Sequence, residues 1–240
     1  MRPRRFDPTR YLVAPDVEFD GATIEAFEGI WEAIASQSAS NAIEYACPFP
    51  KCEFLTYLVR QKGVLLHGSN DPDIARFEPR QQTDFRGRVR ESVFATDDGI
   101  WPIYFAIVDR ERVKVLKNAC FQVTDEQGMS RTHYLFAVPA RQLRRHPWRE
   151  GTVYILPRET FAQDQVVDAK GRLWKEWASD EPVCPLAKLV VGPGDFPFLD
   201  DVQGFRLMDI LRPVVVVVWR QLRHQVRSWL PGRKREKEEG

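Results

Sequence analysis

The chain has 240 residues, with Lys plus Arg at 35 and Asp plus Glu at 34, a net charge of +1. Hydrophobic residues at 43% and charged residues at 29% place it among globular proteins and exclude wholesale disorder. The charge balance excludes a global pull toward nucleic acid or anionic membrane, and four cysteines are too few for a disulfide-stapled scaffold.

The basic opening, Met1 to Phe6, is not followed by the apolar run a secretory signal needs, so no signal is expected. Gly21 to Ala35 reads as an amphipathic helix, with Ile24, Phe27, Ile30, Trp31 and Ile34 at helical spacing. A second helix is predicted over Lys51 to Gln61, with Phe54, Leu55, Leu58 and Val59 inward and Gly63 closing it. Val64 to Leu66 is a short buried strand that runs into His67-Gly68-Ser69. Asn70 to Arg90 is polar and arginine-rich and reads as a long surface loop, a length that is often functional. Ser92 to Ala95 is a strand. Thr96-Asp97-Asp98 then starts a helix through Trp101, Tyr104, Phe105 and Val108, with Pro102 tolerated in the first turn.

After Arg112 the pattern becomes that of strands: 113–116, 120–124, 132–137, 152–156, 161–167, 173–177 and 186–191. Asp125 to Gly128 marks a hairpin turn between two of them. Asp195-Phe196-Pro197-Phe198 is expected to dock aromatic rings onto the core. Val214 to Trp219 is the most apolar stretch, but a membrane span needs about 20 apolar residues. It reads as a buried strand or part of a helix over 214–230, followed by a charged tail. The organisation expected is α+β: an N-terminal helical extension (1–62), a strand-rich core (63–200), and a C-terminal helix with a charged tail (201–240). Reduced thiols and the lack of a span favour a cytoplasmic protein.

Three pieces recur in order: a strand ending in His67-Gly68-Ser69, a strand Phe94-Ala95 feeding a helix that carries Tyr104, and Glu176 in Trp174-Lys175-Glu176-Trp177. This order resembles the His-Tyr-Glu branch of the ADP-ribosyltransferase superfamily, which includes poly(ADP-ribose) polymerases and rifampin ADP-ribosyltransferases. The resemblance covers about half the chain, 64–191. It implies a split, strand-rich core and NAD as the substrate whose nicotinamide–ribose bond breaks through an oxocarbenium-like state. It implies Glu176 as the carboxylate that stabilises that charge, with Asp180 and Glu181 close behind. It also implies His67 on a ribose hydroxyl, Gly68 at the nicotinamide amide, Ser69 among the NAD-binding residues, and Tyr104 stacked on the nicotinamide ring, with Trp101 a rival for that wall. Arg80 or Arg76 would meet the pyrophosphate.

Simpler readings stand beside these. His67 could bond a turn, Tyr104 could be core, Glu176 could be an exposed strand residue, and Asp97-Asp98 could be a helix cap. Cys47 and Cys52, with His67, form an incomplete zinc pattern, and no metal is expected. No Gly-x-Gly-x-x-Gly element supports a Rossmann dehydrogenase. Arg141 to Arg149 is a basic patch able to grip a phosphate backbone or simply a solvated loop. The acceptor is open: protein, nucleic acid or small molecule. The alternatives to transfer are a non-catalytic nucleotide- or ADP-ribose-binding module and a partner-binding structural protein.

Overall fold

The computed structural model describes residues 4–5, 7, 9–36, 42–84 and 86–206. Two short strands, β1 (Arg4–Arg5) and β2 (Leu12–Val13), precede helix α1 (Gly21–Ser36). Asp20 caps α1: its carboxylate accepts the Thr23 backbone N–H at 2.8 Å and the Thr23 hydroxyl at 2.6 Å. Phe27 is fully buried, and Ile30, Trp31 and Ile34 pack beside it as the spacing predicts. Ile24 departs from that reading; it is 41% exposed, and Thr23 takes the inward position.

Helix α2 (Lys51–Tyr57) widens into a π-type turn over Leu58–Lys62 and stops at Gly63, whose φ of 66° is the left-handed cap conformation expected of that glycine. Glu28 of α1 ties the two helices by accepting from the Tyr57 hydroxyl and from Lys62.

Strand β3 (Leu65–Ser69) carries the His-Gly-Ser run. Of the stretch read as a loop, residues 71–79 form no strand or helix, but the second half is a hairpin instead: β4 (Arg80–Thr83) pairs antiparallel with β5 (Val89–Ala95), with Gly87 at φ 81° in the turn. Its polar sequence hid it, because β4 is an edge strand exposed at every residue and offers no apolar alternation. Helix α3 (Trp101–Ile107) follows, and then the hairpin β6 (Lys117–Thr124) and β7 (Ser130–Pro139), turning at Gly128 as expected. Residues 113–116 form no strand. A short helix α4 (Ala140–Leu143) leads to β8 (Gly151–Leu156), β9 (Ala162–Val167), β10 (Arg172–Ser179), β11 (Ala187–Val191) and β12 (Gln203–Phe205).

The result is an α+β arrangement, rich in strands and mostly antiparallel. Nine strands form one sheet, in the order β1-β12-β7-β6-β10-β5-β4, with β2 on β7 and β9 on β10. Three form another, β11-β8-β3. Leu66 and Thr96 join β3 to the end of β5 by two hydrogen bonds of 2.9 Å. Strand β10 is the fork: Arg172 and Leu173 pair with β6, and Trp177 to Ser179 pair with β5.

Helix α3 fills the larger core. Ile103, Tyr104, Ala106 and Ile107 are fully buried, and each large side chain removed from water stabilises by about 1.5–3 kcal/mol. The helix lies directly on β3 and β8 because two glycines face it. A Cβ on Gly68 would stand 1.9 Å from the Pro102 carbonyl oxygen, and one on Gly151 would stand 1.9 Å from that of Ala106. Phe196 and Phe198 close this core against Tyr104, Tyr134 and Phe136, the docking expected of that segment.

Helices α1 and α2 bury Phe27, Phe54, Leu55 and Leu58 in the same core as Leu66 and Ile103. One compact unit runs through Gly204, and of the second unit only Phe205 and Arg206 are described. The helix expected over 214–230 and the charged tail lie outside the described residues. Among the described residues, no helix is long and apolar enough to cross a membrane.

Candidate nucleotide-binding face

The three strands that carry the sequence constellation are neighbours, β3 beside β5 and β5 beside β10. Side chains alternate between the faces of a strand, so register assigns each one a side. His67 pairs with Tyr154 on β8 and stands next to Ala95 on β5, which pairs with Trp177 on β10. Tyr154, His67, Ala95 and Trp177 therefore form one row on one face. Leu65, Phe77, Val93, Leu156, Phe161 and Val183 pack around that row as a second, smaller core.

His67 is half-buried, and its ring lies 4.8 Å from that of Phe77. Its Nδ1 is 2.7 Å from the Phe94 carbonyl oxygen. A carbonyl only accepts, so Nδ1 carries the proton and Nε2 is left as an acceptor. Burial lowers the imidazole below its ordinary value, the bond to Phe94 opposes this, and the positive charge of Arg80 adds to the lowering. The ring is therefore neutral at pH 7, and what it offers a ligand is one acceptor nitrogen, matched to a hydroxyl or amide donor.

The rest of the row is aromatic and cationic. The Arg158 guanidinium lies 4.0 Å over the centre of the Trp177 ring, a close cation–π contact. Trp177 is 6% exposed, and its indole nitrogen is the one buried side-chain polar atom among the described residues without a hydrogen-bond partner. Beyond Trp177 on the same face of β10, Lys175 pairs with Asp97 at 2.7 Å. The Tyr154 hydroxyl donates to the Asp71 carbonyl oxygen and accepts from the Ile74 N–H, which fixes the segment leading to Phe77. Exposed, the Arg80 and Arg158 guanidinium groups have no carboxylate partner among the described residues.

The other site candidates sit elsewhere. Glu176 pairs with Asp164 on β9 and alternates with Lys175 and Trp177, which turns its side chain to the face of the sheet opposite His67. Tyr104 is fully buried, donates to the Ala137 carbonyl oxygen at 3.2 Å and packs edge-on or tilted against Phe105, Phe136 and Phe196. Trp101 packs against Phe105 and Phe136 at the edge of the same core. The space in front of Gly68 is filled by the backbone of α3. The Ser69 hydroxyl accepts the Asp71 N–H at 3.0 Å in a local turn. Asp98 sits ahead of α3, whose cap residue is Ile100, and accepts from the Ile100 and Trp101 N–H groups and from the Tyr134 hydroxyl at 2.6 Å. Arg76 pairs with Glu78. Asp180 is bonded to Ser92 and Arg90, and the Glu181 backbone is held by Ser179.

Reasoning from sequence missed Phe77, Arg158 and Trp177. Strand alternation through Trp174-Lys175-Glu176-Trp177 was the one available signal, since it already separates Glu176 from Trp177.

A cavity of about 680 Å³ lies apart from this face, lined by Tyr45, Cys47, Cys52, Thr56 and the Lys51–Asp195 ion pair among others. None of the sequence-predicted site residues lines it. Burial pushes the Cys52 thiol up to about 11, so it is protonated and unreactive at neutral pH. Among the described residues, no group of three or more His, Cys, Asp or Glu side chains is placed to hold a metal ion. No protein-family model, no curated protein and no solved structure matches the chain.

Proposed function

We propose that the face carrying His67 binds NAD through its ADP-ribose portion, and that the protein transfers ADP-ribose from NAD to an acceptor. The observation that carries this reading is the fixed His67 tautomer: a neutral ring presenting Nε2 as an acceptor suits a ribose hydroxyl. The Arg80 and Arg158 guanidinium groups, which have no carboxylate partner among the described residues, suit the pyrophosphate. The side-by-side placement of the three motif strands agrees with the resemblance drawn from His67, Phe94-Ala95 and Glu176. The nicotinamide contacts expected of Gly68 and Tyr104 have no counterpart on this face, because both residues are spent on the α3 core.

The position of Glu176 favours a second reading. Transfer needs a carboxylate beside the ribose; Glu176 faces the other side of the sheet, and Asp97 is already paired with Lys175. A module that binds ADP-ribose without chemistry fits this arrangement. Incubation of the full chain with labelled NAD separates the readings. Transfer releases nicotinamide and labels an acceptor. Binding alone raises the melting temperature with NAD or ADP-ribose, and no nicotinamide appears. Glu176→Gln tests the carboxylate: loss of release with binding retained assigns the role to Glu176, and unchanged release assigns it elsewhere. A melting temperature indifferent to NAD and to ADP-ribose rejects both readings.

A further inference from the structure

A concentration of exposed positive charge lies where two segments are stitched together. Residues 109–114 and 140–150 hold seven Arg or Lys and three Asp or Glu, a local net of 7 − 3 = +4. The whole chain nets +1, so the remainder nets 1 − 4 = −3. All seven cations are exposed, and their one ion pair is Arg112 with Asp109 at 4.0 Å.

The stitching is extensive. The Asp109 N–H donates to the Pro147 carbonyl oxygen and the Arg149 N–H to that of Ile107, both at 2.9 Å. The Arg112 guanidinium donates to the carbonyl oxygens of Arg145 and His146. His146 holds a left-handed φ of 46° at the bend, a conformation uncommon for a residue other than glycine. The ridge also reaches the His67 strand. Asn70, directly after β3, donates to the Ala106 carbonyl oxygen and accepts the Arg110 N–H.

The geometry points to a nucleic-acid-binding ridge on which Arg110, Arg141, Arg144 and Arg145 grip phosphates. Six of the seven cations are arginine, and a guanidinium meets phosphate through two parallel hydrogen bonds. Held charges on a stitched backbone suit a regular row of phosphates. A lipid surface would ask for apolar groups to insert; the exposed large hydrophobic residue here is Val115, while Trp148 is partly buried and packs against the core. The inference stands apart from the NAD reading, and its assay contains no NAD.

The test is fluorescence anisotropy of the full chain with labelled oligonucleotides of arbitrary sequence, single-stranded RNA and duplex DNA, across a salt series. Four phosphate contacts give a log–log slope of about −3 to −4. Arg141→Ala/Arg144→Ala/Arg145→Ala reduces the steepness of that slope by about 2–3 and weakens binding at least tenfold. Arg144→Lys/Arg145→Lys keeps most of it. Arg233→Ala/Lys234→Ala/Arg235→Ala, in the tail, leaves the slope unchanged. Because these side chains are exposed, melting curves of the ridge variants should match the parent; should the triple variant melt early, Arg110→Ala repeats the test on the adjoining segment. Any of four results overturns the inference: no binding at about 50 mM salt, equal binding by the ridge variants, loss confined to the tail variant, or tighter binding to polyglutamate or phosphatidylserine vesicles than to nucleic acid.

Discussion

Gly68 separates a structural from a ligand-binding role for the His-Gly-Ser run, and Gly68→Ala is the perturbation. The new Cβ would stand 1.9 Å from the Pro102 oxygen, 2.8 Å from its carbonyl carbon and 3.0 Å from the Ala106 nitrogen, all backbone atoms that no rotamer change can move. Restoring an ordinary contact of about 3.4 Å requires α3 to back away by about 1.5 Å. A gap of even 0.5–1 Å forfeits about a quarter to a half of the local dispersion energy. Applied to Ile103, Tyr104 and Ile107, each worth about 1.5–3 kcal/mol, the loss is about 2–3 kcal/mol. Overpacking strain adds about 1–3 kcal/mol. Gly68→Ala should therefore cost about 3–6 kcal/mol, a large part of the roughly 5–15 kcal/mol typical of a domain. Urea unfolding followed by tryptophan fluorescence measures it. The control is Gly29→Ala on the exposed side of α1, with no atom within 4 Å of the new methyl; it should stabilise by up to about 1 kcal/mol. A Gly68→Ala chain that unfolds within about 0.5 kcal/mol of the parent, but no longer responds to NAD, would place that glycine against a ligand and refute the packing of α3 on β3.

Other consequences follow from the buried polar groups. Because burial lowers His67, the native chain binds fewer protons there than the unfolded chain. The stability it contributes is full above the ordinary imidazole value and is lost as pH falls through the lowered folded value; His67→Gln should flatten that part of the pH–stability curve. Asp98 has the opposite sign: burial raises its carboxyl despite the bonds from Tyr134, Trp101 and Ile100. Its contribution is therefore present below the ordinary carboxylate value and lost as pH rises through the folded one, a slope that Asp98→Asn removes. Tyr134→Phe deletes the 2.6 Å donor to Asp98 and should cost about 1.5–3 kcal/mol by chemical denaturation. Arg158→Ala strips the cation from the Trp177 ring, so the fluorescence of that tryptophan should change relative to a Trp177→Phe background while the melting temperature moves little.

Local regularities carried much of the fold. Helical spacing and Gly63 placed α1 and α2, the Asp125 to Gly128 turn placed β6 and β7, and Phe196 with Phe198 were recognisable as docking aromatics. Each of these signals acts within a few residues, so one strand or helix contains it. The β4–β5 hairpin escaped because an edge strand with water around it needs no apolar pattern. At the site, the sequence singled out His67 and the three strands that lie side by side, but it joined His67 with Tyr104 and Glu176 where the structure does not. Alternation along β10 separates Glu176 from Trp177, yet it cannot say which of them shares a face with His67. That choice is made by register across β5, through the Leu66–Thr96 and Ala95–Trp177 pairings, between residues far apart in the chain. The tautomer of His67, the Phe77 ring beside it and the Arg158 group on Trp177 likewise arise from contacts spanning 27, 10 and 19 positions of sequence. The residue types were determined by the sequence alone; their convergence on one face was decided by strand pairing, because hydrogen-bond register is fixed only when distant segments meet.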